Sequence, residues 1–314
     1  MSNVNFKNFD DIKVSTYTFI AVSNIKFAID KMFDEIPLSD IQVETTLNKK
    51  GNNVYPAKLD KFITSPAIVT LEYENKLRGL DLKNKLKNKK RKFFRNSFTI
   101  VAYVDKIVNV KLSRNGKFQM TGCSSIEHAE KCVKYILSLC DLSRKDIYDL
   151  SDDSIKVYYI PSMANLDFSL GFLIDREKLD MFFKRNTEYI SILETSFGYT
   201  GINIKIPISE KIDTMPILLQ EYGTDRLDLV KTSEISYKNY MDEYDKDHKL
   251  SKKRRYITFL VFHSGRVIIS GIHHKFSKSA YNTFIDIIKK SYDNIIDKTV
   301  VFEKKKKNSN LIKS

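Results

Sequence analysis

A chain of 314 residues, 42% of them hydrophobic, is long enough for one large domain or two ordinary ones, each with a buried core. Lys and Arg number 53 against 39 Asp and Glu, and the formal net charge of +14 favours nucleic acid, an anionic membrane or an acidic protein as partner. No apolar run approaches the roughly 20 residues of a membrane span, the polar start is no secretory leader, and Cys123, Cys132 and Cys140, without a C-x-x-C, give neither a disulfide framework nor a zinc site. A soluble, intracellular protein in a reducing compartment is expected.

In chain order, STYTFIAVSNIKFAI (15–29) is rich in β-branched and aromatic residues and reads as a strand. PLSDIQVETTL (37–47) reads as a short helix with Ser39 as N-cap. Four strand candidates follow: SPAIVTLEYE, SFTIVAYVD, IVNVKLSR and GKFQMTGC. Asn115-Gly116 supplies the two positive-φ positions of a type I′ hairpin between the last two. Ser124 and Glu127 are spaced as a capping box, and Ile126, Ala129, Val133, Ile136 and Leu137 continue at helical spacing.

The second half repeats this order. IKVYYIPSMANLDFSL is followed by a helical DREKLDMFFKRN, by GYTGINIKIPI, YITFLVFHSG and RVIISG, and by a long helix from Ser277 to Tyr292. NGKFQMTG (115–122) and SGRVIISG (264–271) stand 149 positions apart at both glycines, which marks a duplicated unit. The expected layout is a first repeat over 1–150 with a basic insertion at about 74–97, a second over 151–300 with a charged insertion at about 208–255, and a basic tail over 301–314. The basic run 82–96, the charged run 231–255 and the tail read as solvated loops, with phosphate contact or nuclear targeting as the alternative.

Catalytic constellations are missing from the pattern. There is no G-x-x-x-x-G-K-[ST] and no H-E-x-x-H, and His273 and His274, as neighbours on a strand, would point to opposite faces. His128 falls on a helix, His248 in a charged loop and His263 in a hairpin turn. The expectation is a protein that is not an enzyme and uses no cofactor or metal.

LVFHSGRVIISG (260–271), its weaker partner KLSRNGKFQMTG (111–122) and AVSNI (21–25) resemble the TATA-box-binding protein family, in the divergent form encoded by large nucleocytoplasmic DNA viruses. The resemblance spans about half the chain. It implies an α+β fold, a pseudo-twofold saddle with a curved antiparallel sheet and helices on its convex face. It also implies a monomeric transcription-initiation factor that binds and bends double-stranded A·T-rich promoter DNA through the minor groove. Partners would be a transcription factor IIB-like protein and RNA polymerase, and the location the host nucleus, a cytoplasmic viral factory or the virion.

Position by position, the resemblance makes Phe262, Tyr199 and Phe98 wedge aromatics. Ser113 stands where a further wedge is expected, with Phe118, Phe93 or Phe94 as substitutes. Asn24, Thr121, Ser270, Ile268 and Ser162, with Asn165 nearby, fall on the groove floor, and Lys117 and Arg266 on phosphates. Lys26 and Gln119 occupy places where the family prefers apolar residues, so the first repeat is the more polar. The competing expectation is a protein-interaction platform of the transcription machinery that has lost kinking. A retained apolar sheet face favours DNA; a charged or covered one favours the platform.

Overall fold

The computed structural model describes residues 6–48, 53–56, 61–82, 95–150, 152–193, 201–244 and 255–298. Tyr199, Phe93, Phe94, His248, most of the basic run and the tail lie outside the described residues. The described chain forms two compact units. Thr16–Ser162 and Ile212–Lys246 make the first, and Met1–Ser15, Met163–Lys211 and Asp247–Ser314 make the second. The division does not follow the expected boundary at 150, because the chain exchanges segments between the units.

In the first unit the strands β1 (Val14–Ser23), β5 (Ala67–Tyr73), β6 (Lys76–Gly79), β7 (Ser97–Val104), β8 (Lys106–Ser113) and β9 (Lys117–Cys123) pair antiparallel in the order β1-β9-β8-β7-β5-β6. Two small ribbons, β2 (Lys26–Phe27) with β10 (Tyr148–Asp149) and β3 (Thr46–Leu47) with β4 (Asn53–Val54), complete it. One face of the sheet is covered by α1 (Ile29–Glu35) and α2 (Ile126–Ser138), whose apolar stripes meet Phe19, Ala21, Ile100, Val110 and Met120. The period-2 alternation of the strands sends these residues inward and their neighbours to the open face.

The expected helix over 37–47 is not there. The helix lies just upstream, where Ile29, Met32, Phe33 and Ile36 repeat at i, i+3, i+4 and i+7 and are all buried. Ser39, expected as an N-cap, instead exchanges hydrogen bonds with the backbone of Ile68, its Oγ accepting from Ile68 N at 2.9 Å. At α2 the cap is Ser125 rather than Ser124: its Oγ accepts from His128 N at 3.2 Å.

β11 (Ser154–Ser169) begins in the first unit and ends in the second. After it come α3 (Arg176–Asn186), β12 (Ile190–Leu193) and β13 (Gly201–Pro207). The chain then makes β14 (Pro216–Gly223), β15 (Leu229–Ser236) and α4 (Tyr237–Tyr244) within the charged insertion expected at about 208–255, so most of β15 and all of α4 fall in the run 231–255 that was expected to be a solvated loop. This hairpin belongs to the first unit, where β14 pairs with Ser154 to Tyr159 of β11. The burial of Ile217, Tyr222, Tyr237 and Met241 outweighs the surrounding charge. Gln220 ties it to α2, its Nε2 donating to Glu130 Oε2 at 2.7 Å.

β16 (Tyr256–Phe262), β17 (Arg266–Gly271) and α5 (Lys278–Ile295) finish the second unit. Its strand order is β11-β17-β16-β13-β12, the order β1-β9-β8-β7-β5 over again. Phe259 stacks on Phe284 of α5 with ring centroids 4.4 Å apart, and Phe183 of α3 joins them. Each unit therefore has its own core and its own open sheet face, and the fold is α+β. Both hairpins turn on a glycine with φ of 77°. A Cβ at Gly116 would stand 2.4 Å from Ile25 O, and one at Gly265 would stand 2.1 Å from Phe172 O, so neither turn accepts another residue.

Candidate nucleic-acid interface

The open face of the second unit reads as rows across paired strands. One row runs Asn165, Ser270, Thr258, Lys205, Ile190, and the next Asp167, Ile268, Leu260, Asn203, Ile192. Ile190 and Ile192 are exposed, and Ile268 and Leu260 are half-buried. Phe262 ends β16 on this face, opposite Gly201, where a Cβ would collide with Leu260 Cδ1 at 2.5 Å. Ser270 Oγ donates to Asn165 Oδ1 at 2.7 Å, which turns the Asn165 amide so that its Nδ2, unpartnered among the described residues, is the end left over. Asp167 brings a carboxylate to this otherwise apolar and hydroxyl-bearing face. It has no hydrogen bond or ion pair among the described residues.

In the first unit the matching rows are polar. Ile20, Gln119, Lys111, Thr99 and Glu72 form one, and Thr18, Thr121, Asn109, Val101 and Thr70 the other. At the distance of 149 positions, Gln119 and Lys111 stand where the second unit has Ile268 and Leu260. The outer part of this face is also covered. Ile41, Ile63, Leu80 and Leu82 pack on Ala67, Val69, Val101, Tyr103 and Ile107.

Several expected site residues are placed elsewhere than the resemblance implied. Phe98 is 1% exposed and sits on the helix side of β7, its ring edge-on to Phe33 at 6.2 Å, so it cannot reach a bound partner and is not a wedge. Phe118 is likewise in the core, edge-on to Phe27 at 5.9 Å. Asn24 spends its amide inside the first unit. Nδ2 donates to Asp152 Oδ2 at 3.0 Å and Ser154 O at 2.9 Å, and Oδ1 accepts from Lys156 N at 2.9 Å. Both its N–H groups are taken, so it ties β1 to the start of β11 instead of presenting donors to a base edge. Ser162 is half-buried within β11.

Thr121, Ser270, Ile268, Lys117 and Arg266 do face the open side or its rim. Sequence reasoning passed over Leu260, Ile192 and Asp167. The alternation of YITFLVF and of LDFS placed Leu260 and Asp167 on that face once Phe262 and Asn165 were assigned to it.

The described histidines are occupied or buried. His128 Nδ1 accepts from Ser124 N at 3.1 Å and Nε2 donates to Val104 O; burial holds its pKa below the ordinary value. His273 and His274 are not on a strand as expected. Their rings lie 4.6 Å apart at a 3₁₀ turn, and burial, then the neighbouring His274 and Lys275, push His273 down to about 4. No third ligand joins them, nor does any metal-holding group of three His, Cys, Asp or Glu occur among the described residues. His263 Nε2 meets Asp297 Oδ2 at 2.9 Å. Burial raises each of the three thiols to about 12, so none is a thiolate near neutral pH. No described helix is long and apolar enough to cross a membrane.

No family model matches the chain. The uncharacterized protein 335L of Invertebrate iridescent virus 6 is 29% identical over 295 residues, which cover 88% of this chain and 83% of that protein. A TATA-box-binding protein-like protein of Acanthamoeba polyphaga mimivirus is 27% identical over 223 residues, 64% of this chain and 55% of that protein. Among solved structures, the Methanococcus jannaschii TBP aligns with 89% of this chain over 98% of its own, at 15% identity and a TM-score of 0.42. The chain is thus similar to two viral proteins, one of them named TATA-box-binding protein-like.

Proposed function

We propose that this TATA-box-binding-protein-like chain is a non-enzymatic transcription-initiation factor that binds and bends A·T-rich double-stranded promoter DNA through the minor groove. The observation that carries this reading is the open face of the second unit, where Ile268, Leu260 and Ile192 lie beside Thr258 and Ser270 and end at Phe262. In the minor groove an A·T pair presents acceptors and no exocyclic amine, so apolar groups and small hydroxyls fit its floor, while a G·C pair adds a donor that such a surface leaves unpaired. The Asn165 Nδ2 is free to donate to those acceptors. Bending would add preference through deformable TA steps. The mimivirus relative's name supports the same class. A transcription factor IIB-like protein and RNA polymerase are the proposed partners for the remaining surface, in a host nucleus or viral factory.

The polar, partly covered face of the first unit favours a second reading, a non-kinking interaction platform with sequence-blind DNA binding. Competition between A·T-rich and G·C-rich duplexes at two salt concentrations separates them. The factor prefers the A·T duplex at both concentrations. A platform shows equal affinities that vanish together as salt rises.

A further inference from the structure

The end of the first unit's open face differs from its counterpart in a way that the groove-floor reading does not use. At the β8–β9 turn a hollow of about 700 Å³ opens beside Ser97 and Ser113, which pair across β7 and β8. Its walls carry Lys26, Arg95, Arg114 and Lys117 and no carboxylate. Lys26 has a loose, exposed pair with Asp149 at 3.8 Å, which contributes little. Arg95, Arg114 and Lys117 have no ion pair among the described residues.

The space exists because Ser113 stands where the second unit has Phe262, and the charge exists because Arg114 stands where the second unit has His263. His263 is matched by Asp297, whereas Arg114 is matched by no acid. Like charges gathered round a concave wall repel one another unless an anion sits among them, and guanidinium forks suit a phosphate's paired oxygens.

From this we infer that the hollow is a phosphate-binding site, one that replaces a wedge by a clamp on a phosphate group. The inference rests on the DNA-binding reading for its natural ligand, a duplex phosphodiester, but the same chemistry would take a free phosphate. Shape supports the larger ligand, since the volume holds a phosphate together with its sugar.

The test uses the full chain and the double variant Arg95→Ala/Arg114→Ala, both exposed side chains whose removal leaves the core intact. Lys134→Ala/Lys238→Ala, exposed on α2 and α4, removes the same charge elsewhere and serves as control. Duplex affinity is measured against salt on A·T-rich and G·C-rich DNA, and pyrophosphate binding is measured by calorimetry. Losing one or two phosphate contacts should flatten the log–log salt slope by about 0.9 for each, or about 3-fold in affinity between 50 and 200 mM, equally on both sequences.

A flatter slope in the hollow variant but not in the control assigns the site to duplex phosphate. An unchanged slope with lost pyrophosphate binding assigns it to free phosphate. If the hollow variant matches the control in both measurements, the inference is wrong. Because the slope is read on either sequence, failure of A·T preference alone would sink the groove reading and leave this one standing.

Discussion

The two hairpin ends of this molecule share a backbone and differ in chemistry. Both turn on a glycine with the same φ, pressed against a carbonyl, and both follow a β-strand that alternates cleanly between core and open face. On that common frame one end carries Phe262 with Leu260 and Ile268 behind it, and the other carries Ser113 with Lys111 and Gln119. The inward residues are conservative in kind, apolar on both sides, because a packed core tolerates little else. Only the outward ones diverge, which teaches that a shared strand order and an apolar inner face leave each open face free to differ in chemistry. The account assigns groove reading to the second unit and backbone anchoring to the first.

The largest break in this comparison should come from Phe262→Ala. A stacked aromatic contributes about 1–3 kcal/mol per base, so affinity for an A·T-rich duplex should fall about 5- to 150-fold. Circular dichroism should show an unchanged fold, since Phe262 lies outside the core. Leu260→Lys, which gives the second unit the residue type found at Lys111, should cost the A·T-over-G·C preference while raising binding to any duplex at low salt; fluorescence anisotropy on both duplexes reads this.

A finer contrast pits the two asparagines against each other. Asn24→Ala should lower stability by about 1–3 kcal/mol in urea titration, because the backbone groups of Ser154 and Lys156 lose their partner, and should leave base preference alone. Asn165→Ala should do the opposite, keeping stability and relaxing preference. Asp167→Asn should tighten A·T binding a few-fold, because it removes a carboxylate facing the acceptors of the groove.

The smallest effect concerns a part of the frame. His128 is held neutral, with Nδ1 accepting and Nε2 donating, and its folded pKa lies below the ordinary value because of burial. A depressed folded pKa means that the unfolded chain takes up the proton first. Its contribution is therefore present above about pH 6.5 and is lost as pH falls below it. Thermal midpoints between pH 7.5 and 5.5 should fall less in His128→Gln than in the wild type.

Most strands, the two turn glycines and the long helices were legible in the sequence because period-2 alternation, a glycine at the turn and the helical apolar stripe act over a few residues, whereas Ser39 and Ser124 are not the caps expected and Asn115 does not have the positive φ of a type I′ turn. α1 was missed because Ile29, the first of its core residues, ends the β-rich run 15–29, and Pro37 made the next segment look like a helix start. The β14–β15 hairpin was missed because the charge around it hid its buried residues, Ile217 and Tyr222. At the interface, Phe262, Ile268 and Ser270 could be placed from their motif. Phe98 and Asn24 could not, since which strand face a helix covers, and which amide is consumed by a neighbouring backbone, depend on contacts 65 to 132 positions away in the chain.

Permanganate oxidation of unstacked thymines across a bound A·T-rich duplex tests the unlike ends most directly. The account predicts reactive thymines at one end of the site only, lost in Phe262→Ala and untouched in Ser113→Ala. Reactivity at both ends, or reactivity that survives Phe262→Ala, would contradict it.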